Sequence, residues 1–121
     1  MSQLDRVRAY YADCNTGVAD AVARHFTDDA EHLFTRLPPL RGARAIADQT
    51  ARAVEHAQAT WEVEHGIEAG DEAVIEFLNC WTDLRSGERR TIRGTEWFRF
   101  AADGRIAQVR AYYHREGLVT G

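Results

Sequence analysis

The sequence predicts an α+β domain in which helices pack against one face of a curved antiparallel sheet. Two observations predict this class. Apolar residues recur at helical spacing as far as residue 57, and from Trp61 onward the period changes to two. Helices followed by a run of strands are typical of α+β domains. A curved sheet that wraps around a helix also leaves a pocket between the two layers.

The first half of the chain is predicted to be mainly helical. Apolar residues at helical spacing mark each helix, and turn residues or prolines stop each element. One strand is expected between the second and third helices. The predicted elements in this half are a helix over 3–14, a short helix from 18 to about 28, a strand over 30–36 and a helix over 43–57.

Four antiparallel strands are predicted after the third helix. Residues 61–68 alternate between apolar and polar side chains, and residues 73–82 are apolar on both faces. Two final strands lie on either side of Asp103-Gly104, and the second runs through Tyr113. An Asp-Gly pair between alternating runs is a strong hairpin signal, so we expect these two strands to be paired.

Glu96 is the most informative residue of the last hairpin. Strand alternation places it on the same face as Phe98 and Phe100. A carboxylate among aromatic side chains is costly to bury as an ion. Glu96 is therefore a candidate for a group that holds a proton or a ligand.

Length, charge and composition exclude several classes of partner. The 121 residues fit one domain, 1–121, and the net charge of −4 comes without a basic stripe, so nucleic acid is not expected. No apolar run approaches the ~20 residues of a membrane span, and the N-terminus lacks a secretory pattern, so we expect a cytoplasmic protein. Cysteine and histidine spacings predict neither a disulfide nor a metal site. Without a glycine-rich phosphate loop, no cofactor is expected.

Segments 10–15, 25–30, 40–43 and 95–106 resemble the nuclear-transport-factor-2-like domains. That superfamily includes ketosteroid isomerase, limonene epoxide hydrolase, scytalone dehydratase and the SnoaL-like polyketide cyclases. The resemblance implies a cone-shaped, cystatin-like fold with a central pocket. It leaves the function open, because the fold hosts catalysts, carriers and assembly modules.

The resemblance assigns some site positions and leaves others without their usual residue. Tyr10 and Glu96 fall where ketosteroid isomerases hold the tyrosine and the protonated acid of their oxyanion hole. The general base of those enzymes falls at Phe34, which cannot take a proton. The epoxide hydrolases use a catalytic arginine, two aspartates, a tyrosine and an asparagine, and the SnoaL-like cyclases use an aspartate. This chain has no equivalents of those residues. The corresponding positions hold His32, Phe34, Phe77, Asn79 and Ala111.

His32, Glu96 and Tyr10 are the predicted catalytic residues. His32 titrates near neutrality when unperturbed, so it is the candidate general base. Tyr10 and a neutral Glu96 are candidate donors to a developing oxyanion, as in proton abstraction next to a carbonyl, cyclisation or dehydration. The predicted substrate-binding residues on the same face are Phe34, Phe77, Asn79, Trp81, Phe98 and Tyr113.

Three functional classes remain open. Each predicted site residue also has a structural interpretation, such as a core histidine or a paired carboxylate. The chain is predicted to be a cofactor-free enzyme acting on a hydrophobic carbonyl compound, a non-catalytic binder of a hydrophobic small molecule, or an assembly module. The opposite sheet face carries Leu78, Trp97 and Tyr112, and an exposed aromatic patch predicts an interface. We expect a homodimer through that face, which the resemblance also implies.

Overall fold

The computed structural model describes residues 1–34 and 37–113. Within these ranges, three helices cover one face of a six-stranded sheet with strand order β2-β1-β6-β5-β4-β3. Neighbouring strands are antiparallel except for β1 and β6, which are parallel. The elements are α1 (Gln3–Thr16), α2 (Ala19–Ala23), β1 (Phe26–Phe34), β2 (Leu40–Arg41), α3 (Ala43–Ala57), β3 (Thr60–Ala69), β4 (Glu72–Thr82), β5 (Arg89–Phe100) and β6 (Ile106–Tyr113). The predicted α+β class is confirmed.

Helix α1 begins and ends at well-formed caps. The Ser2 side chain accepts from the Asp5 amide, while the Asp5 carboxylate accepts from the Ser2 amide, which is a capping box. Gly17 closes the other end with φ 72°. A Cβ at Gly17 would lie 2.8 Å from Cγ1 of Val54 on α3, so glycine also allows the two helices to approach each other.

Helix α3 matches its predicted range, 43–57. It buries Ile46 and Ala47 against the sheet and ends at Gln58, which adopts φ 50°. Because α3 packs beside α1 on the same face of the sheet, its inner side chains are directed toward the space above β1 and β4. This position makes α3 one wall of the cavity described below.

The last two strands form the hairpin that Asp103-Gly104 predicts. The Gly104 amide donates to the Ala101 carbonyl at 2.9 Å, and Gly104 adopts φ 89°. On β5, Gly94, Glu96 and Phe98 are buried, whereas Trp97 is exposed. The predicted alternation along β5 is therefore confirmed.

The first strand differs from its predicted range. Strand β1 starts at Phe26 rather than at residue 30, and α2 is correspondingly shorter than predicted. The reason is tertiary: Phe26 pairs with Ile106 of β6, whose amide donates to the His25 carbonyl at 2.7 Å. Residues 35 and 36 of the predicted strand lie outside the described residues. The two-residue strand β2 pairs with the edge of β1 and was not predicted.

A glycine shapes the concave face of the sheet. A Cβ at Gly94 would lie 2.9 Å from the Phe77 ring and 2.9 Å from the Tyr112 carbonyl oxygen. The missing side chain lets the Phe77 ring lie across β5, where it also meets the Tyr113 ring edge-on at 5.8 Å. Phe77 and Phe98 are completely buried beneath α1, so this part of the sheet is the floor of the hydrophobic core.

Candidate active site

A cavity of about 190 Å³ lies between the helices and the concave face of the sheet. It is partly enclosed, and Leu37, which is exposed, lies on its rim. Side chains from α1, α3, all six strands and the β1–β2 loop surround it. The lining residues are Tyr10, Tyr11, Cys14, His32, Phe34, Leu37, Leu40, Ile46, Gln49, Thr50, Ala53, Trp61, Asn79, Glu96 and Tyr113.

His32 and Glu96 form a buried pair in this cavity. His32 comes from β1 and Glu96 from β5, with β6 between them in the sheet. The Nε2 atom of His32 lies 3.4 Å from Oε2 of Glu96, and the two residues are 6% and 4% exposed. They are the buried polar or charged residues of the described part of the chain. The predicted neighbourhood of these two side chains is therefore present in the structure.

Burial moves the two pKa values in opposite directions. Desolvation raises the pKa of Glu96 from 4.5 to about 8 and lowers the pKa of His32 from 6.5 to about 4. Removing water penalises the charged form of each group, and the charged forms are opposite in sign. At neutral pH the pair is therefore a protonated acid beside an unprotonated imidazole.

The second ring nitrogen of His32, Nδ1, has no partner among the described residues. Among the described residues, no hydrogen bond satisfies Nδ1, although the atom is buried. The ring stacks on Phe34, with centroids 4.2 Å apart and an angle of 24° between the planes, so its orientation is fixed by packing. A buried imidazole nitrogen without a partner is available to a ligand or to a transferred proton.

Tyr10 also lines the cavity, but its hydroxyl is engaged within α1. It interacts with the Cys14 thiol one helical turn away, and burial raises the pKa of Tyr10 well above 10. The same burial raises the pKa of Cys14 to about 12. Among the described residues, no hydrogen bond joins the Tyr10 hydroxyl to Glu96. Tyr10 is therefore a neutral hydroxyl near the pair rather than a direct partner of it.

Tyr11 is a cavity residue that the sequence reasoning missed. It is 3% exposed, and its hydroxyl oxygen has no hydrogen-bond partner in the described part of the chain. Its ring lies 6.1 Å from the rings of Phe77 and Phe98. Consecutive helical residues point about 100° apart, so Tyr10 and Tyr11 both reach the core side of α1. Their adjacent positions on one apolar stripe of the sequence could have predicted that Tyr11 also faces the cavity.

The predicted substrate-binding residues divide into two groups. Phe34, Asn79 and Tyr113 line the cavity. Phe77 and Phe98 face the same side but are fully buried in the core, because α1 covers them. Trp81 lies near the end of β4 and is not among the lining residues. The wall from α3, which strand alternation could not predict, is formed by Ile46, Gln49, Thr50 and Ala53.

Asn15 fixes one edge of the cavity. Its side-chain amide donates to the Trp61 carbonyl at 2.9 Å, and its oxygen accepts from the Trp61 amide at 2.8 Å. This pair of hydrogen bonds joins the end of α1 to the start of β3. Asn79, beside Trp61 in the sheet, donates to the Thr60 carbonyl at 3.1 Å, so one of its two amide N–H groups is already used while it lines the cavity.

Residues 1–34 and 37–113 contain neither a metal-binding cluster nor a membrane-spanning helix. No group of three or more histidine, cysteine, aspartate or glutamate side chains in those ranges is arranged to hold a metal ion. No helix there is long and apolar enough to cross a membrane.

Comparison with known proteins identifies relatives of this fold. The family model described as the SnoaL-like domain matches residues 7–109. Among curated proteins, none matches significantly. A protein of unknown function with a cystatin-like fold from Methylobium petroleophilum PM1 is 27% identical with a TM-score of 0.80, and the match covers 98% of this chain and 81% of that one.

Two solved enzymes share the fold at lower identity. SalBIII, an epoxide hydrolase/cyclase-like enzyme in pyran ring formation in the polyether salinomycin, is 19% identical with a TM-score of 0.81, covering 93% of this chain and 91% of that one. An epoxide hydrolase from M. tuberculosis is 19% identical with a TM-score of 0.80, covering 93% and 82%. At this identity the likeness concerns the fold alone.

Proposed function

The chain belongs to the SnoaL-like domain family, and on that premise we propose that it is a cofactor-independent enzyme that moves protons on a hydrophobic carbonyl compound. The single observation that carries the proposal is the buried Glu96–His32 pair, 3.4 Å apart in a cavity, where burial raises the pKa of the acid and lowers the pKa of the imidazole. Pairs of titratable groups whose environments drive their pKa values apart are typical of acid–base catalysts. Isomerisation, cyclisation and dehydration all begin with this kind of step.

In the proposed reaction, His32 is the base and Glu96 is the acid. Nδ1 of His32 takes the proton from the carbon next to the carbonyl, and the C–H electron pair forms a carbon–carbon double bond. Glu96 gives its proton to the carbonyl oxygen, so the product of this step is a neutral enol. This proton transfer requires the His32 tautomer that carries its hydrogen on Nε2, facing Oε2 of Glu96. The acidic proton of Glu96 is then on Oε1.

The pair keeps its net charge constant during this step. Before transfer it is a neutral acid and a neutral imidazole, and afterwards it is a carboxylate and an imidazolium in contact. Because no net charge enters the desolvated cavity, the step avoids the cost of an isolated buried ion. Returning the proton from His32 to a different carbon, while the Glu96 carboxylate takes back the enol proton, completes an isomerisation. Returning it to a hydroxyl that leaves as water from the carbon next to the enol, while Glu96 again takes back the enol proton, completes a dehydration.

Hydrogen exchange tests this proposal without knowledge of the substrate. Cyclohexanone incubated with the protein in D₂O should gain deuterium at the carbons next to its carbonyl, followed by proton NMR. We expect His32→Asn to abolish the acceleration and Glu96→Gln to reduce it at least about tenfold, because an amide cannot transfer a proton. Glu62→Gln, on an exposed side chain of β3, is the matched control.

A binder without catalysis is the competing function. If wild-type protein binds the ketone but exchanges no faster than buffer, the carrier interpretation replaces the enzyme. The unpartnered Nδ1 of His32 fits both functions, because it can accept a hydrogen bond from a bound ligand or a proton from a substrate.

We also propose that the protein forms a homodimer through the outer sheet face. Trp97 and Tyr112 are exposed there, and the Arg110 guanidinium carbon lies 4.8 Å from the Trp97 ring centroid. The Trp97 Nε1–H donates to Glu72 at 3.1 Å, which holds the indole in place on the sheet surface. Leu78 lies on the same side of β4. Aromatic and arginine side chains grouped in this way are typical of interface centres.

A further inference from the structure

We infer that the cavity accepts an uncharged, one-ring ligand with two oxygen atoms, one at the His32–Glu96 pair and the other at the Tyr11 hydroxyl. The inference rests on the proposed function for the position of the reacting carbonyl. It adds the size of the ligand, its charge and a second recognition residue. Each of these follows from a separate observation.

The volume of the cavity limits the size of the ligand. A buried apolar cavity of about 150 Å³ holds one benzene molecule, and this cavity measures about 190 Å³. The difference corresponds to roughly one water-sized group, at about 30 Å³ each. A six-membered ring with one or two oxygen substituents fits this space, whereas two fused rings exceed it.

The electrostatics of the lining disfavour a charged ligand. Among the lining residues, Glu96 and His32 are both neutral at neutral pH because burial shifts their pKa values apart. The described lining contains no arginine or lysine. A carboxylate would therefore enter without a counter-ion from the described lining, and an ammonium group would gain one only if Glu96 first lost its proton. A neutral ketone has no such cost.

Tyr11 supplies the second polar contact. Its hydroxyl is buried and unpartnered in the described structure, whereas the Tyr10 hydroxyl already interacts with Cys14. The Tyr11 ring contacts Phe77 and Phe98, which lie on either side of the sheet row that contains Glu96. The Tyr11 ring is thus held over the same region of the sheet as the acid. A buried hydroxyl without a partner is rare and costly, so we assign it to a ligand oxygen.

Two matched ketones test the assignment. Cyclohexane-1,4-dione and cyclohexanone share one ring and differ by a second carbonyl oxygen. Ligand-observed NMR titration of the wild-type protein should give a Kd about tenfold lower for the dione, as expected for one added hydrogen bond. In Tyr11→Phe this advantage should fall below about twofold, while cyclohexanone binds as before. The fused bicyclic ketone 2-decalone should not compete for the cavity.

Controls separate a local effect from a loss of structure. Tyr112→Phe removes an exposed hydroxyl from the opposite sheet face and should leave both Kd values unchanged. Tyr11→Phe should melt at or above the wild-type temperature, since it removes a buried hydroxyl that lacks a partner. Equal affinity of wild-type protein for the two ketones, a dione advantage that persists in Tyr11→Phe, or competition by 2-decalone would each overturn the inference.

The outcome is independent of the catalytic test. Ketone binding with the expected pattern but without deuterium exchange would remove the enzyme proposal and keep the Tyr11 site. Deuterium exchange without a dione advantage would remove the Tyr11 site and keep the enzyme proposal.

Discussion

Replacing Glu96 by glutamine should change how the stability of the protein depends on pH. Glutamine has nearly the same shape and retains an N–H donor, but it cannot ionise. In the unfolded chain Glu96 loses its proton near pH 4.5, whereas in the folded protein burial raises its pKa to about 8. Between these two values the folded state holds one more proton than the unfolded state. The stability that Glu96 contributes is therefore complete below pH 4.5 and is lost as the pH rises to about 8.

The expected magnitude follows from the width of that window. It spans about 3.5 pH units, and each unit changes the free energy of unfolding by about 1.36 kcal/mol. Wild-type protein should therefore lose about 5 kcal/mol relative to Glu96→Gln between pH 4.5 and pH 8. The difference between the two curves of unfolding free energy against pH no longer contains the contribution of His32 or of any other group whose pKa the substitution leaves unchanged.

Urea unfolding at pH 5, 6, 7 and 8 measures this difference. Glu62→Gln, on an exposed position of β3, should run parallel to wild type at every pH. A carbon-13 shift typical of a protonated acid is expected for the Glu96 carboxyl at pH 6. If the unfolding free energies of wild type and Glu96→Gln changed in parallel with pH, the raised pKa of Glu96 would be refuted. A Glu96→Gln variant that is far less stable at pH 5 would instead indicate an ionised pair with His32.

Three further predictions concern assembly, packing and catalysis. Trp97→Arg should give monomers on size-exclusion chromatography, whereas Leu84→Arg at the exposed β4–β5 turn should elute like wild type. Wild-type protein that elutes as a monomer at micromolar concentration would contradict the proposed dimer. Gly94→Ala should cost about 1–3 kcal/mol in urea unfolding, because its Cβ would lie 2.9 Å from a buried ring, and unchanged stability would argue against that contact. The rate of ketone deuterium exchange should stay level from pH 5 to 7, where His32 is already unprotonated. It should decline as the pH rises through about 8, where Glu96 loses its proton. An exchange rate that rises through pH 8 would exclude Glu96 as the acid.

Local patterns in the sequence predicted most of the fold. The range of α3, the hairpin at Asp103-Gly104 and the alternation around Glu96 depend on neighbours in the sequence, and the structure confirms each of them. The start of β1 at Phe26 depends on pairing with β6, about 80 residues further along the chain. No local pattern carries that information.

The candidate site was predictable only in part, for a similar reason. Alternation identified the side of each strand and so brought His32 and Glu96 to one face. It could not tell which residues of that face α1 would cover, so Phe77 was expected in the cavity wall and lies in the core. Nor could it separate Tyr10, whose hydroxyl interacts within its helix, from Tyr11, whose hydroxyl has no partner. These distinctions depend on three-dimensional packing.

The parallel pairing of β1 with β6 also has a consequence for the order of folding. Hairpins such as β4–β5 and β5–β6 close short loops, whereas β1 reaches β6 only after the intervening chain has been positioned. Closing such a long loop carries a larger entropy cost, and contacts of this kind form late. His32 comes from β1 and Glu96 from β5, so the two side chains meet only when β1 has paired with β6.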